Sequence, residues 1–473
     1  MINFNNTYDK LPAVFFESTF PEKSSNPQLI CFNHDLAKKL GIDLRELSES
    51  ELAQYFSGNK IFPLSNPIAT AYAGFQFGHP VASLGDGRAH LLGEISGHDI
   101  QLKGSGRTKF SRRGDGKSAL GPVLREYIVS EAMNALDVPT TRALCAVTTG
   151  DHVFRQEGLE PGGIFTRVAA SHLRVGTFQY FAFKNDIESI KTLLDYTIFR
   201  HYQNLNDPES YREKSLELLK ALTIKQADLI AKWSSYGFIH GVMNTDNFSL
   251  AGITIDYGPC AFIDEFKFDQ VFSSIDHQGR YAFFNQVQIA KWNILRLAET
   301  LIPLIDSDQQ EAIKVIEKEI MPLFETFEEK RFEAFARKLG IANYKKTDST
   351  LVMNFLSYLE KNSLDMTNAF RNLPNLFSGK SDFYPSSEEL NEFIIEWRKR
   401  VSSIDGLNNI NPIYIPRNHL IQKVIEDAYE NNFDLFHKLL EVLTSPFIEK
   451  EDLIEYARGP KPHERVHQTF CGT

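Results

Sequence analysis

The chain has 473 residues, 42% of them hydrophobic and 24% charged, with a formal net charge of −10. That length allows two or more domains, or one large core with additions, and the composition is that of an ordinary globular protein. The acidic balance argues against a nucleic-acid partner, and no run of about 18 apolar residues offers a membrane span.

The N-terminus MINFNNTYDKLP has neither the basic nor the apolar region of a secretory signal, so a cytoplasmic protein is expected. Four cysteines, Cys31, Cys145, Cys260 and Cys471, are widely spaced without a Cys-x-x-Cys pair. That pattern suggests no zinc site and fits a reducing compartment. Cys471 stands third from the end, either as an accessible redox thiol or as an unremarkable tail cysteine. The 37 phenylalanines are scattered, as core residues are.

In chain order, residues 1–80 predict short helices, one around Leu36 to Leu40, among Pro-punctuated loops without evident chemistry. Gly85-Asp86-Gly87-Arg88 then reads as a tight turn. Its glycines let backbone N–H groups approach a phosphate and Arg88 adds charge, although most such turns merely join strands. His90 to Ile95 and Ile100 to Lys103 predict a hairpin, with Ile100 and Leu102 facing a core and Gln101 and Lys103 a polar side. The following GSGRTKFSRRGDGK sets Arg107, Lys109, Arg112, Arg113 and Lys117 against one acid, Asp115. This run either faces something anionic or is solvated; the closely spaced glycines favour phosphate contact.

A helix is expected from Pro122, with Leu124, Ile128, Ala132 and Ala135 as its buried stripe and Glu126 at one edge. A strand Lys paired with a helix Glu is how a protein kinase positions its ATP-binding Lys, and Lys103 and Glu126 have the right order for it. An exposed Glu on an amphipathic helix is the simpler alternative. Strands follow at Arg142 to Thr149 and Gly163 to Ala169. Arg167 and Arg174 could hold phosphate oxygens, or could be surface salt-bridge partners. Asp186 to Ser234 reads as helical.

The segment His240–Gly258, HGVMNTDNFSLAGITIDYG, carries the most chemistry. Ile253 and Ile255 alternate around Thr254 as in a short strand, leaving Asp256 at a Gly turn. Asn247 and Asp256 could give a hard cation such as Mg²⁺ its oxygen ligands. Kinases use a loop Asn and the Asp of an Asp-Phe-Gly turn in this way. Laid on His240–Asn247, however, the kinase pattern His-Arg-Asp-x-x-x-x-Asn puts the catalytic Asp on Val242, which accepts no proton. Asp246 is the nearest replacement. Beyond it, Asp264 to Gln278 reads as irregular. Gln286 to Leu304, Gln309 to Leu339, Thr350 to Lys361, Glu388 to Val401 and Ile421 to Leu443 read as helices.

Together these stretches resemble the selenoprotein O family, called YdiU in bacteria, along nearly the whole chain. The most specific parts are GDGRAHLLGE, QLKGSGRTKFSRRGDGKSALGPVLREY, FTRVAASHLRVGTFQ, and HGVMNTDNFSLAGITIDYGP followed by DHQGRY. The resemblance implies an α+β, protein-kinase-like two-lobed fold that binds ATP in a flipped orientation. It divides the chain into an N-terminal extension (1–80), an N-lobe-like part (81–180), a C-lobe-like part (181–280) and a helical C-terminal region with a redox-type tail (281–473). It implies transfer of AMP from ATP, or of UMP from UTP, to Ser, Thr or Tyr hydroxyls of proteins. Carried over by position, Gly85, Gly87, Arg88, Lys103, Asp115, Gly116, Arg167, Arg174 and Asp256 would bind nucleotide, with Glu126 pairing Lys103. Asp246 would accept the proton, and Asn247 and Asp256 would hold Mg²⁺ or Mn²⁺. The terminal Cys-Gly-Thr resembles the family's redox tail, which makes Cys471 with Cys260 a candidate disulfide. Two rivals remain on the residues: a kinase with an atypical base, and a non-catalytic nucleotide-binding scaffold.

Overall fold

A computed structural model describes residues 2–155, 158–205 and 209–470. The architecture is α+β. The first 170 residues contribute strands β1 Phe16–Ser18, β2 Gln28–Phe32, β3 Ile68–Thr70, β4 Gly74–Gln76, β5 His79–Val81, β6 Ala89–Ile95, β7 His98–Lys103, β8 Ser118–Ala119, β9 Arg142–Arg155 and β10 Gly158–Ala169. They also contribute helices α1 His34–Lys39, α2 Glu49–Phe56 and α3 Leu120–Ala135. The main sheet runs β1-β3-β6-β7-β10-β9-β2, with β8 added beside β10. Three of its strands come from residues 1–80, so that stretch and the next share one sheet. β4 and β5 form a separate hairpin.

The β6–β7 turn is tighter than the sequence reading: Ser96 and Gly97 alone join the strands, both with positive φ. That is the two-residue geometry whose twist matches the flanking strands. Ile100 and Leu102 pack under the sheet with Leu36, Leu52 and Phe56 of α1 and α2, while Gln101 and Lys103 face the opposite side.

Helix α3 starts at Leu120, two residues before Pro122. The proline is tolerated there because the first N–H groups of a helix have no intrahelical partner. The expected single buried stripe is too narrow a description: almost every residue from Leu120 to Met133 is buried. Strands β9 and β10 cover one side, and two helices from near the end of the chain cover the other.

Next come α4 Val175–Ala182, α5 Ile187–His201 and α6 Tyr211–Tyr236. The helical stretch predicted from Asp186 to Ser234 is therefore two helices. Asp186 caps α5 through Ser189 N, Ser210 caps α6 in a capping box with Glu213, and Gly237 ends α6 in the left-handed conformation. The pair β11 Phe238–Ile239 and β12 Ala261–Phe262 closes antiparallel around the segment between them. Within that segment Ile253–Ile255 forms no full strand; only Thr254 bridges, to Thr140.

The remainder is helical: α7 Gln286–Ile305, α8 Gln309–Glu319, α9 Glu325–Lys338, α10 Asp348–Lys361, α11 Met366–Arg371, α12 Leu373–Phe377, α13 Glu388–Arg400, α14 Asn418–Tyr429 and α15 Asp434–Leu443. The predicted helix Gln309 to Leu339 breaks at a 3₁₀ turn containing Pro322, and Ile421 to Leu443 breaks where Asn431 takes a positive φ. One hydrophobic core runs from α3 through α6 and α7 to α14 and α15. A second lies among α9, α10 and α13. Among the described residues no helix is long and apolar enough to cross a membrane.

Candidate active site

A cleft of about 670 Å³ lies between the main sheet and the segment that follows α6. Gly85, Gly87, Arg88, Lys103, Asp115, Gly116, Arg167, Arg174, Asp246, Asn247 and Asp256 all line it, as does Val242. Residues spread over more than 170 positions thus meet in one cavity. Glu126 lies behind the lining, in contact with two of its cations.

The sheet and α3 deliver the centre of the cleft. Lys103, at the end of β7, donates to Glu126 Oε2 at 2.7 Å and forms an ion pair with Asp256. Arg167 on β10 donates to Glu126 Oε1 through Nε at 2.9 Å and to Asp256 Oδ1 through Nη2 at 2.9 Å. Two cations and two carboxylates therefore form one closed set, with Arg167 and Glu126 almost completely buried. Burial alone would raise the Asp256 carboxyl, but Lys103, Arg167 and Arg88 hold it well below the usual range. Asp256 also has φ +69°, an uncommon backbone state for a non-glycine residue and one found disproportionately at functional sites.

Asp246 sits in a 3₁₀ turn, Thr245–Asn247. Its Oδ1 is buried with no hydrogen-bond partner. Burial, reinforced by the Asp256 charge, pushes its pKa up to about 6, although Arg174 pulls the other way. The β4–β5 hairpin is tied over this turn: Phe75 N donates to Thr245 Oγ1 at 2.7 Å and Phe77 N to Asn244 Oδ1 at 2.9 Å. A Cβ at Gly74 would stand 2.8 Å from Asp246 Oδ1, so only glycine permits this approach. Asn247 donates through Nδ2 to Val242 O at 3.1 Å, which leaves its Oδ1 as a ligand atom. His240 is a structural residue, buried and bonded through Nε2 to Ile255 O at 2.9 Å.

The glycine-rich walls are steric necessities as well. Gly85 has φ +64°, and a Cβ there would overlap the Phe110 ring. The basic run divides in the structure. Lys109 and Lys117 reach Glu17 and Asp151 at 3.6 and 3.9 Å, while Arg112 and Arg113 are exposed at the cleft rim. Asp115 pairs with Arg155 at 2.8 Å, joining this loop to the β9–β10 hairpin.

Among the described residues no three His, Cys, Asp or Glu side chains gather as a metal cage. Asn247 and Asp256 nevertheless offer two hard oxygen donors in one cleft. That suits a Mg²⁺-type ion completed by water and ligand phosphates. Cys260 lies outside the cleft, buried, its thiol pushed up to about 12 chiefly by that burial. Cys471 lies outside the described residues. The chain just before it runs close to Cys260: Thr469 Oγ1 donates to Pro259 O at 2.6 Å, and Arg125 Nη1 binds both Gly258 O at 3.1 Å and Phe470 O at 2.9 Å.

Sequence reasoning missed Tyr72, Gln76, Gln101 and Asn244, which also line the cleft, and gave Asp86 only a turn role. Gln101 was within reach, since it shares a strand face with Lys103.

Cations set around buried carboxylates and a glycine-rich wall define a cleft suited to an anionic ligand. A family model described as protein adenylyltransferase SelO matches residues 1–444. Proteins named protein nucleotidyltransferase YdiU are similar over the full length: 46% identical in Agrobacterium fabrum, covering all of both chains, and 47% in Rhizobium rhizogenes, covering all of this chain and 97% of the relative. One from Bacillus cereus is 46% identical, covering all of this chain and 98% of its own. The chain belongs to the SelO/YdiU family.

Proposed function

We propose that this protein transfers AMP from ATP, or UMP from UTP, to Ser, Thr or Tyr hydroxyls of other proteins on a kinase-like two-lobed frame. The observation that carries the reading is the partnerless Asp246 oxygen, in one cleft with Asn247, Asp256 and the cations, while Val242 occupies the kinase base position. The family description and the relatives' names support nucleotidyl transfer.

In this reading ATP enters tail first. Lys103, Arg167 and Arg174 hold the β- and γ-phosphates by charge-assisted hydrogen bonds, and Gly85, Gly87, Arg88, Asp115 and Gly116 hold the rest of the nucleotide. The α-phosphorus then faces Asp246. The acceptor oxygen attacks it, its proton passes to the Asp246 carboxylate, the bond from the α-phosphorus to the bridging oxygen breaks, and pyrophosphate leaves. A pKa near 6 leaves Asp246 mostly ionised at neutral pH yet basic enough to take a proton. When bound at Asn247 and Asp256, Mg²⁺ or Mn²⁺ supplies Lewis-acid neutralisation of phosphate charge. The residues near Cys260 also keep a Cys260–Cys471 redox pair within the proposal.

Intact-mass analysis of acceptor proteins incubated with enzyme, ATP and Mg²⁺ or Mn²⁺ tests the reading. A gain of one AMP is expected; a gain of one phosphate, or no covalent product with either metal, contradicts it.

A further inference from the structure

Arg174 enters the cleft immediately before α4 and meets the Gly-Asp-Gly-Arg turn there. It is almost fully buried, and its Nε has no hydrogen-bond partner. Its Nη1 donates to His172 O at 3.1 Å. Its guanidinium carbon lies 4.5 Å from the centre of the Tyr72 ring, within cation–π range. Two carboxylates flank it. Asp86 Oδ1 is 3.9 Å from Nη1, and Asp246 feels its charge from the catalytic turn.

Asp86 is built to hold its place. It is buried, and its Oδ2 accepts from Thr70 N at 3.0 Å, Thr70 Oγ1 at 2.6 Å and Gln101 Nε2 at 3.3 Å. Its backbone N donates to Thr70 O at 3.0 Å, and its carbonyl accepts from Thr108 Oγ1 at 2.7 Å. Tyr72 is fixed as firmly, because its carbonyl accepts from both Leu84 N and Gly85 N. Next to it, Ala73 N donates to Gly176 O at 2.9 Å, which joins the turn to α4. A buried charge must be paired or find a ligand. Asp86 satisfies three donors with one oxygen and directs the other at Arg174.

We infer that Asp86 and Tyr72 are positioning residues: they hold Arg174 with its remaining donors turned to the phosphates of the bound nucleotide, away from a direct pair with Asp246. The inference rests on the nucleotide reading above and adds two residues to it. Asp86 supplies the fixed countercharge, and the Tyr72 ring supplies a flat face that sets the guanidinium plane. Arg174 is then poised for the outer phosphates without closing on the base.

The test is a binding cycle with Mg²⁺-ATP, AMP and inorganic pyrophosphate as probes, on wild type, Asp86→Asn, Arg174→Ala and the double variant. Asparagine keeps an oxygen for Thr70 and puts a neutral NH₂ in place of the charged oxygen that faces Arg174. Asp86→Asn is expected to weaken ATP and pyrophosphate about tenfold, the loss of roughly one charge-assisted contact, and to leave AMP within twofold. In the Arg174→Ala background the same change should cost nothing further, since the two residues act through one interaction. Tyr72→Phe should bind ATP as wild type does, while Tyr72→Leu should lose about the same factor as Asp86→Asn. Equal losses for Asp86→Asn in both backgrounds, or an equal loss for AMP, would overturn the assignment and leave nucleotide binding intact. Failure of the wild type to bind ATP would instead overturn the nucleotide reading, and with it this inference.

Discussion

Asp246 and Asp256 share one cleft, and their surroundings push their ionisation in opposite directions, the pattern that separates a base from a permanently charged ligand. Asp246→Asn is expected to slow transfer by about 10²- to 10⁴-fold while Mg²⁺-ATP still binds, measured by rate and by titration. In the wild type the rate should rise with pH through about 6 as Asp246 ionises. The stability effect has a definite sign. The folded pKa lies above the ordinary carboxyl value, so the folded chain binds the extra proton. Stability from this group is complete below pH 4 and falls as pH rises through about 6. Asp246→Asn should therefore melt above the wild type at pH 7.5, by about 1–3 °C in calorimetry, and lose that advantage near pH 4. At position 256, Ala and Gly should both abolish transfer. Gly should be the more stable of the two by about 1 kcal/mol in urea unfolding, because φ there is +69°. Asn247, Asp256 and the glycine turns are legible in the sequence because residue type and local spacing carry their chemistry. Asp86 was not: inside Gly-Asp-Gly an aspartate reads as a turn former, and its partner Arg174 lies far along the chain.

At the scale of elements, α3 depends on partners that no local pattern reveals. Its period-3.6 stripe is readable, yet α14 and α15 bury the other side as well. Phe436 meets Tyr127 edge-on at 5.6 Å between ring centres, and a Cβ on Gly121 would lie 3.0 Å from Ile425. Glu126 itself faces the sheet, where Lys103 and Arg167 bond it in a dry interior, and α14 and α15 hold the helix down from the other side. Phe436→Ala should cost about 3–5 kcal/mol of stability in urea unfolding. It should also weaken ATP binding more than an equally destabilising change among α9, α10 and α13, because only the former loosens the helix that carries Glu126. Two of the three overlong helix predictions failed at Pro322 and Asn431. The first is a visible breaker. The second is a positive φ that sequence periodicity cannot register.

For the whole molecule, the sheet and the helical region are bound together at both ends of the chain. Strands from residues 1–80 complete the main sheet. Thr469 and Phe470 brace the turn after Asp256 through Pro259 and Arg125. Removing residues 469–473 should speed amide hydrogen exchange across residues 256–262 while the main sheet keeps its protection; unchanged exchange there would show that the tail is no brace. The helical second half was readable from periodicity, whereas the α+β class came from the family resemblance. The joining of the first 80 residues to the sheet was not, because three- to five-residue strands carry too little pattern.

The central claim concerns which phosphorus meets the acceptor, and a pair of labelled substrates tests it most directly. Parallel reactions with ATP labelled at the α-phosphorus and ATP labelled at the γ-phosphorus, each with Mg²⁺ or Mn²⁺, should transfer the α label to protein and release the γ label as pyrophosphate. Transfer of the γ label to protein would contradict the account.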